Sequence, residues 1–227
     1  MVISDNFVFI HLQKCAGSFV DNLLERMFAD AKFNGTRHDS ARQIAKRHRN
    51  KPVFGTIRNP WDWWVSWYAA TNGGRKLRGP NAERVRSSSF EEFWDTIFST
   101  TDSFGELKMA RINELGIGPY TYRFVQRYFK DPEAVLSNWD VDEIKANINE
   151  LMCPIHLCRV EDLKKELVRF FDSINLQLDE EQLFMLMNAP IDNASKHDLT
   201  PTYYDDKMSA LVKEKDRLIV ELYGYSP

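Results

Sequence analysis

The first part of the chain carries two apolar patterns in succession. Residues 6–12 form a β-branched and aromatic run, which predicts a buried strand. After a short loop of small and polar residues, apolar side chains recur at spacings of three and four, which predicts a helix; they are Phe19, Leu23, Leu24, Met27 and Phe28. A strand, a short loop and a helix in this order begin a βαβ unit.

The same order recurs twice further along. Pro52 to Ile57 predicts a second buried strand, with Asn59 as N-cap and Pro60 as first residue of the helix that continues from Trp61. A third strand is predicted at Ile155 to Val160. The helix after it has apolar positions at Leu163, Leu167, Phe170, Phe171 and Ile174.

These patterns predict one α/β domain over residues 1–227. We expect three layers, with a central, mostly parallel sheet flanked by helices, and a phosphate-binding strand-loop-helix unit near the N-terminus. Asn72 to Ser88 is rich in Gly, Arg and Ser and predicts a mobile loop, and Ser89 with Glu92 predicts a capping box. Tyr203 to Tyr223 predicts a final helix that ends before Gly224, with an inner face formed by Leu211, Leu218 and Leu222.

Composition narrows the class of protein. The chain is 43% hydrophobic and 28% charged, which is typical of a globular domain and excludes intrinsic disorder. Its net charge of −3 is unevenly spread: residues 1–100 carry 15 basic and 10 acidic residues, and the remainder carries 15 and 23. This asymmetry favours a local anion site over bulk nucleic-acid binding.

Further expectations come from short features. The longest early apolar run, Phe7 to Ile10, is too short for a signal peptide or a membrane span, so we expect a cytoplasmic protein with no membrane partner. The odd set of three cysteines has no metal-type spacing and predicts free thiols in a reducing compartment.

The loop after the first strand has the residues of an anion cradle. Gly17 allows close backbone approach, Ser18 offers a hydroxyl and an N–H at a helix start, and Lys14 adds a positive charge. An ordinary strand-to-helix turn with one exposed lysine explains the segment equally well. The Walker loop places its lysine after its second glycine, whereas Lys14 precedes Gly17, which disfavours a kinase or NTPase.

A second anion site is predicted after the second strand. Arg58 ends this strand, and Ser66 lies eight residues further on, within the following helix. The arginine fork suits a phosphate dianion, and the hydroxyl adds a donor. Because ligands bind at the carboxyl ends of parallel strands, two such sites suggest one ligand with two anionic groups.

These segments together resemble a known family. Residues 11–18, HLQKCAGS, are similar to the 5′-phosphosulfate loop of sulfotransferases, and residues 55–68, with the pattern RNPxxxxxSxY, are similar to their 3′-phosphate motif. Residues 159–163 resemble the family's RYEDL segment, and residues 193–197 resemble part of its C-terminal region. The likeness is closest to the carbohydrate sulfotransferase type. Gln13 and Cys15 depart from the usual proline and threonine.

The resemblance implies a P-loop-like fold and a donor, 3′-phosphoadenosine 5′-phosphosulfate (PAPS), with adenosine 3′,5′-bisphosphate as product. Sulfuryl transfer to the hydroxyl of a carbohydrate or small molecule would need no metal. Lys14 would stabilise the leaving oxygen, and Arg58 with Ser66 would bind the 3′-phosphate. The 5′-phosphate would lie against the loop residues Lys14, Cys15, Ala16, Gly17, Ser18 and Phe19, and a closing loop would contribute Lys196 and His197.

The resemblance also implies a general base for the acceptor hydroxyl. His38 is the first choice because it lies between the two anion motifs, and His11, close to Lys14, is the second. Alternatively, His38 is a solvated residue ahead of a helix start at Asp39 or Ser40. His48 is expected on a basic helix face and His156 on a buried strand.

Aromatic residues cluster near the second motif. We expect most of the group Trp61, Trp63, Trp64 and Trp67 to pack in a core, with one left to stack on adenine or acceptor. Tyr120 and Tyr122 either line an acceptor cleft or pack. Two other classes remain open: a kinase-like phosphotransferase with an atypical phosphate loop, and a non-catalytic anion-binding module.

Overall fold

A computed structural model describes residues 1–72, 89–103, 106–190 and 200–227. The predicted loop at Asn72 to Ser88 falls almost wholly outside these residues. Contacts divide the chain into two compact units. The first comprises residues 1–58, 126–132 and 147–194, and the second comprises residues 59–125, 133–146 and 195–227. The single domain over 1–227 stays a prediction.

The first unit contains a five-stranded sheet. Its strands are β1 (Val2–Ile3), β2 (Val8–Ile10), β3 (Lys32–Phe33), β4 (Val53–Ile57) and β5 (His156–Arg159). Their spatial order is β3-β1-β2-β4-β5. β2 pairs with β4 and β4 with β5 in parallel, which confirms the predicted parallel centre. β1 pairs antiparallel with both β2 and β3, so the sheet as a whole is mixed.

The described residues contain twelve α-helices. They are α1 (Gly17–Met27), α2 (Pro60–Asn72), α3 (Phe90–Ser99), α4 (Met109–Leu115), α5 (Pro119–Tyr128), α6 (Pro132–Ser137), α7 (Val141–Ala146), α8 (Ile148–Leu151), α9 (Leu163–Ser173), α10 (Glu180–Asn188), α11 (Asp206–Lys215) and α12 (Arg217–Tyr223). Short 3₁₀ turns lie at Ala41–Gln43, Lys46–His48, Val160–Asp162 and Thr200–Tyr203.

Two predicted helix starts are confirmed. The Asn59 side chain accepts a hydrogen bond from the Trp61 N–H at 3.0 Å, and α2 begins at Pro60. At α3, the Glu92 N–H donates to the Ser89 hydroxyl at 3.2 Å, while the Ser89 N–H donates to the Glu92 carboxylate at 3.1 Å. These reciprocal bonds satisfy donors that a helix start leaves open.

The predicted single helix at Tyr203 to Tyr223 is wrong. Two helices, α11 and α12, meet at Asp216, whose φ of −108° and ψ of 28° leave the helical region. The Asp216 carboxylate is fully buried and is bound by side chains elsewhere in the second unit, which explains the break. Leu218 is buried as expected, whereas Leu211 and Leu222 are half-buried. Gly224 ends α12 with a φ of 65°.

Aromatic side chains form the core of the first unit. Phe7, directly before β2, contacts Phe54 of β4 at 5.7 Å and Phe28 at 5.1 Å between ring centroids. Phe54 also packs on Phe170 of α9 at 4.3 Å. Four of the five predicted apolar positions of α9, Leu163, Leu167, Phe170 and Phe171, are buried, whereas Ile174 follows the helix as its C-cap and is half-buried. Burying each large side chain contributes about 2 kcal/mol.

A tyrosine anchors the end of β4. The Tyr128 hydroxyl donates to the Thr56 carbonyl at 3.0 Å and accepts from the Thr56 N–H at 3.2 Å. Gly55 permits this approach, since a Cβ there would lie 2.5 Å from the hydroxyl. The strand end that leads to Arg58 is therefore held in place by buried hydrogen bonds.

The core of the second unit is rich in tryptophan. Trp63 stacks on Tyr120 with ring centroids 4.7 Å apart and planes 6° apart. Trp64 lies 4.2 Å from Trp94, and its indole N–H donates to Asp216 at 2.8 Å. All four tryptophans of α2 are buried, as are Tyr120 and Tyr122. The expectation that one tryptophan remains for stacking on a ligand is therefore wrong, and both tyrosines pack.

No helix in the described ranges is both long enough and apolar enough to cross a membrane. The three cysteines all lie within those ranges, and none forms a disulfide. Burial raises the pKa of Cys158 to about 12 and also raises the pKa of Cys153. Neither of these two thiols is therefore disposed to act as a thiolate nucleophile at neutral pH.

Candidate functional site

The loop between β2 and α1 has an unusual backbone. Lys14 and Ala16 both adopt left-handed conformations, with φ of 64° and 56°, although neither is glycine. A left-handed conformation costs an L-residue about 1 kcal/mol or more. The Cys15 N–H donates to the Leu12 carbonyl at 3.3 Å. Turns that contain left-handed residues are among the backbone conformations in which successive N–H groups can form an anion-binding nest.

The start of α1 adds donors beside this loop. Ala16 is the N-cap and has no side chain that could accept a hydrogen bond, and the first turn contains no acidic residue. The first helical bonds are donated by Phe19 and Val20 to the Ala16 carbonyl, at 3.0 and 3.1 Å. The N–H groups of Gly17 and Ser18 therefore lie outside the helical ladder, at the positive end of the helix dipole.

Arg58 reaches this loop from the neighbouring strand. β4 runs parallel to β2, with Val8 opposite Val53 and Ile10 opposite Gly55, so both strands end at the same edge of the sheet. Arg58 follows β4 directly, and its Nη1 lies 3.4 Å from the Lys14 carbonyl oxygen. The sheet thus brings together two basic residues that are 44 positions apart in the chain.

The other predicted anion-binding residues are placed differently. Cys15 is fully buried and Phe19 is nearly so, whereas Ser18 is partly exposed. Ser66 lies on α2 in the second unit and is 4% exposed. Lys196 and His197 lie outside the described residues. Their roles stay predictions.

His11 is buried beneath the first turn of α1. It directly follows β2 and is 4% exposed, and its Nδ1 lies 2.9 Å from Oδ2 of Asp21. A Cβ at Gly17 would collide with the His11 ring. Glycine is therefore required at position 17 because its missing side chain makes room for the imidazole.

His38 lies next to His11. The two rings meet edge to face, with centroids 4.8 Å apart and planes at 86°. His38 is half-buried in a turn after β3, where the Asp39 carboxylate accepts a hydrogen bond from the Thr36 N–H at 2.8 Å. A short 3₁₀ turn begins at Ala41, with Ser40 as its N-cap. The two candidate bases, 27 residues apart in the chain, are neighbours.

Two residues of this cluster were missed by sequence reasoning. Asp21 lies on the buried face of α1 and is 1% exposed. Arg37 places its Nε 3.3 Å from the same Asp21 oxygen that contacts His11, and its guanidinium carbon lies 5.6 Å from the Phe33 ring centroid. The sequence did contain one signal for Asp21: it is an acidic residue one turn after Gly17, on a helix face that is otherwise apolar.

The remaining histidines lie elsewhere. His156 is on β5 as predicted, but its side chain is exposed and not buried. His48 was predicted on a basic helix face, but it is the last residue of the short 3₁₀ turn Lys46–His48. Desolvation, followed by the positive charges of Lys51 and Arg47, lowers the pKa of His48.

A cleft of about 290 Å³ lies beside the loop. One wall comes from Ala16 and Phe19, and another comes from residues 160–165, within the stretch whose first part resembles the RYEDL segment. Met187 of α10 completes the lining, and Lys164 bridges to it by donating to the Met187 carbonyl at 2.7 Å. The cleft combines apolar surface with charged groups at its rim, which is typical of small-molecule sites.

Comparisons with known proteins yielded no matching family model, curated protein or solved structure. Within the described ranges, no group of three or more His, Cys, Asp or Glu side chains has an arrangement that could hold a metal ion. The site is therefore characterised by its own residues: a left-handed loop at a helix start, two basic residues, and a cluster in which Asp21 and His11 are buried, His38 is half-buried and Arg37 is exposed.

Proposed function

We propose that this protein is a PAPS-dependent sulfotransferase that acts on the hydroxyl of a carbohydrate or small molecule. One observation carries the proposal: the nest-like loop from Lys14 to Ser18 lies at the carboxyl end of β2, and Arg58 contacts it from the end of the adjacent parallel strand. A donor with two separated anionic groups matches two basic positions at neighbouring strand ends.

The residues fit such a donor. The N–H groups of Gly17 and Ser18 hold the 5′-phosphate at the helix start, with Lys14 compensating the charge that develops on the leaving oxygen. Arg58 binds the 3′-phosphate through its planar fork. Ser66 stays a candidate on the sequence resemblance alone. The cleft beside Ala16 and Phe19 has the lining and size to receive a nucleoside.

The chemistry is an in-line displacement. When bound, the donor supplies a sulfuryl group, whose bond to the 5′-phosphate oxygen breaks as a bond to the acceptor oxygen forms. His38 takes the proton that leaves the acceptor hydroxyl, with His11 as the neighbouring alternative. The protein contributes mainly by orienting the reacting groups and by stabilising charge, as in phosphoryl transfer.

The first experiment measures transfer of labelled sulfate from PAPS to a panel of glycans and small alcohols. Lys14→Ala is expected to lower kcat by about 100-fold, because a charge-stabilising group at the leaving oxygen is lost. Arg58→Ala is expected to weaken binding of adenosine 3′,5′-bisphosphate by about 10- to 100-fold in calorimetry, because a bidentate phosphate contact is lost.

Matched controls separate these effects from a general loss of charge. Arg26→Ala removes an exposed arginine from the last turn of α1, and Lys213→Ala removes an exposed lysine from α11. Both controls should retain wild-type binding and transfer. Undiminished nucleotide binding by a folded Arg58→Ala variant would overturn the assignment of the site.

A thermal-shift comparison separates the alternative classes. The proposal expects stabilisation by adenosine 3′,5′-bisphosphate without metal. If ATP with magnesium stabilises the protein and adenosine 3′,5′-bisphosphate does not, the result would instead indicate a phosphotransferase. Salt-sensitive binding of acidic polymers that is unaffected by Lys14→Ala or Arg58→Ala, without sulfate transfer, would indicate a non-catalytic anion-binding module.

A further inference from the structure

Asp21 occupies a central place among the candidate catalytic residues. It lies on α1 and is 1% exposed. Its Oδ2 contacts both His11 Nδ1, at 2.9 Å, and Arg37 Nε, at 3.3 Å. One carboxylate oxygen thus links the residue after β2, the first helix and the turn that carries His38.

The contacts of Asp21 are what make its burial tolerable. A buried carboxylate without partners is strongly unfavourable, whereas charge-assisted hydrogen bonds offset much of the desolvation. The other oxygen, Oδ1, is buried and accepts no hydrogen bond from any described residue. A carboxylate satisfied at one oxygen only is a poor choice for stability alone, since replacing a whole buried ion pair by apolar residues of similar volume is often neutral or stabilising.

We propose that Asp21 is a positioning residue of the active site, acting through His11 and Arg37. The inference rests on the proposed sulfotransferase function. Asp21 accepts a hydrogen bond from Nδ1–H of His11 and so holds the imidazole in one tautomer and one orientation, with Nε2 on the side of Gly17. Through Arg37, the same oxygen holds the adjacent residue, His38, against the His11 ring.

The surroundings of His11 support this role. The ring is confined on one side by Gly17, where even a Cβ would collide with it, and on another side by the edge contact with His38. Since Nδ1 is bound to Asp21, Nε2 is the nitrogen available toward the loop. A neutral imidazole with Nδ1 protonated presents an acceptor there, and a protonated one presents a donor.

The first test needs no activity. Two-dimensional ¹⁵N NMR of the histidine rings should show His11 with a proton on Nδ1, and Asp21→Asn should change the His11 signals while Glu25→Gln should not. Glu25 is an exposed acidic residue on the same helix and is therefore a matched control. A wild-type His11 that carries its only proton on Nε2 would overturn the proposal, because Nδ1 could then not donate to Asp21.

The second test uses the transfer assay. Asp21→Asn should lower kcat by about 10- to 100-fold and change KM for PAPS by less than about 3-fold, because orientation of the base and not donor binding is lost. Combining Asp21→Asn with His11→Gln should cost less than the sum of the two separate losses, because part of the effect of Asp21 passes through His11. Fully additive losses in kcat would contradict action through His11.

The two proposals can fail separately. If the wild-type protein transfers no sulfate but His11 shows the Nδ1 proton and its dependence on Asp21, the sulfotransferase function fails while the Asp21 to His11 contact stands. If sulfate is transferred and Asp21→Asn leaves kcat unchanged in a folded protein, the positioning role fails and the proposed function stands.

Discussion

Asp21 and Asp216 are both buried carboxylates, but their partners are of opposite kinds. Asp21, in the first unit, is bound by His11 and Arg37, which can carry positive charge. Asp216, in the second unit, accepts hydrogen bonds only from neutral groups among the described residues: the Trp64 indole at 2.8 Å, and the Thr121 N–H and hydroxyl at 3.0 and 2.8 Å.

The difference separates two uses of a buried charge. Burial raises the pKa of Asp216 to about 6, and the hydrogen bonds from Trp64 and Thr121 offset this only in part. The hydrogen bonds of Asp216 link the break between α11 and α12 to Trp64 of α2 and Thr121 of α5, so its role is structural. Asp21 instead connects residues that can exchange protons or bind anions. Substitutions at Asp216 should therefore act mainly on stability, and those at Asp21 mainly on activity.

The largest effect is expected from Asp216→Ala. Removing the carboxylate leaves three buried donors unsatisfied, and we expect a loss of about 4 kcal/mol in the free energy of unfolding at pH 5. Urea denaturation followed by tryptophan fluorescence measures it. Glu214→Ala, at an exposed position on α11, should change stability by less than about 0.5 kcal/mol. If the two changes lower the free energy of unfolding equally, the structural role of Asp216 is contradicted.

The next effect is a dependence of stability on pH. The pKa of Asp216 is about 6 when folded, against an ordinary value of 3.8, so the folded state binds this proton more tightly. Its contribution to stability is complete below pH 3.8 and is lost as the pH rises through 6. Between pH 4 and pH 7 the loss should be about 2 kcal/mol.

The Asp216→Asn variant provides the reference for this titration. It carries no titrating group at that position, so the difference in unfolding free energy between it and the wild type isolates the contribution of Asp216. The Asp30 carboxyl behaves oppositely: desolvation raises its pKa, but hydrogen bonds from the Asp5 N–H and the Ser4 hydroxyl outweigh this effect and lower it. A difference between the two proteins that does not vary from pH 4 to pH 7 would contradict the raised pKa.

The smallest effect tests the packing around Asp21. Gly17→Ala places a Cβ against the His11 ring, which Asp21 prevents from moving away, and we expect a net loss of about 1 kcal/mol in the free energy of unfolding. In a His11→Ala background the same change should be neutral, because the obstructing ring is gone. Denaturant unfolding of the four proteins completes the cycle. The same loss in both backgrounds would disprove the contact.

Local patterns predicted much of the first unit. The three parallel strands were placed to within about two residues of their ends, because continuous apolar runs next to turn residues are local signals. The helix start at Asn59 and Pro60 and the capping box at Ser89 were predicted for the same reason, since a cap depends on residues only three positions apart.

Other features depended on distant contacts. The short strands β1 and β3 are two residues each, too short to carry a periodic signal. They form through pairing, β1 with β2 and β3 with β1. The continuous apolar pattern of Tyr203 to Tyr223 contained no sign of the break at Asp216, because the break follows from bonds to Trp64 and Thr121, 152 and 95 residues away.

The amino-acid sequence by itself determined the three parallel strands with the helices that follow them, the position of the glycine-containing loop after the first parallel strand, and the candidate residues Lys14, Arg58, His11 and His38. Only the tertiary structure decided that Arg58 reaches the Lys14 loop, that the two histidines touch, and that Asp21 binds one of them. Spacing along a chain specifies local conformation, whereas parallel pairing and burial decide which distant side chains share a low-dielectric site.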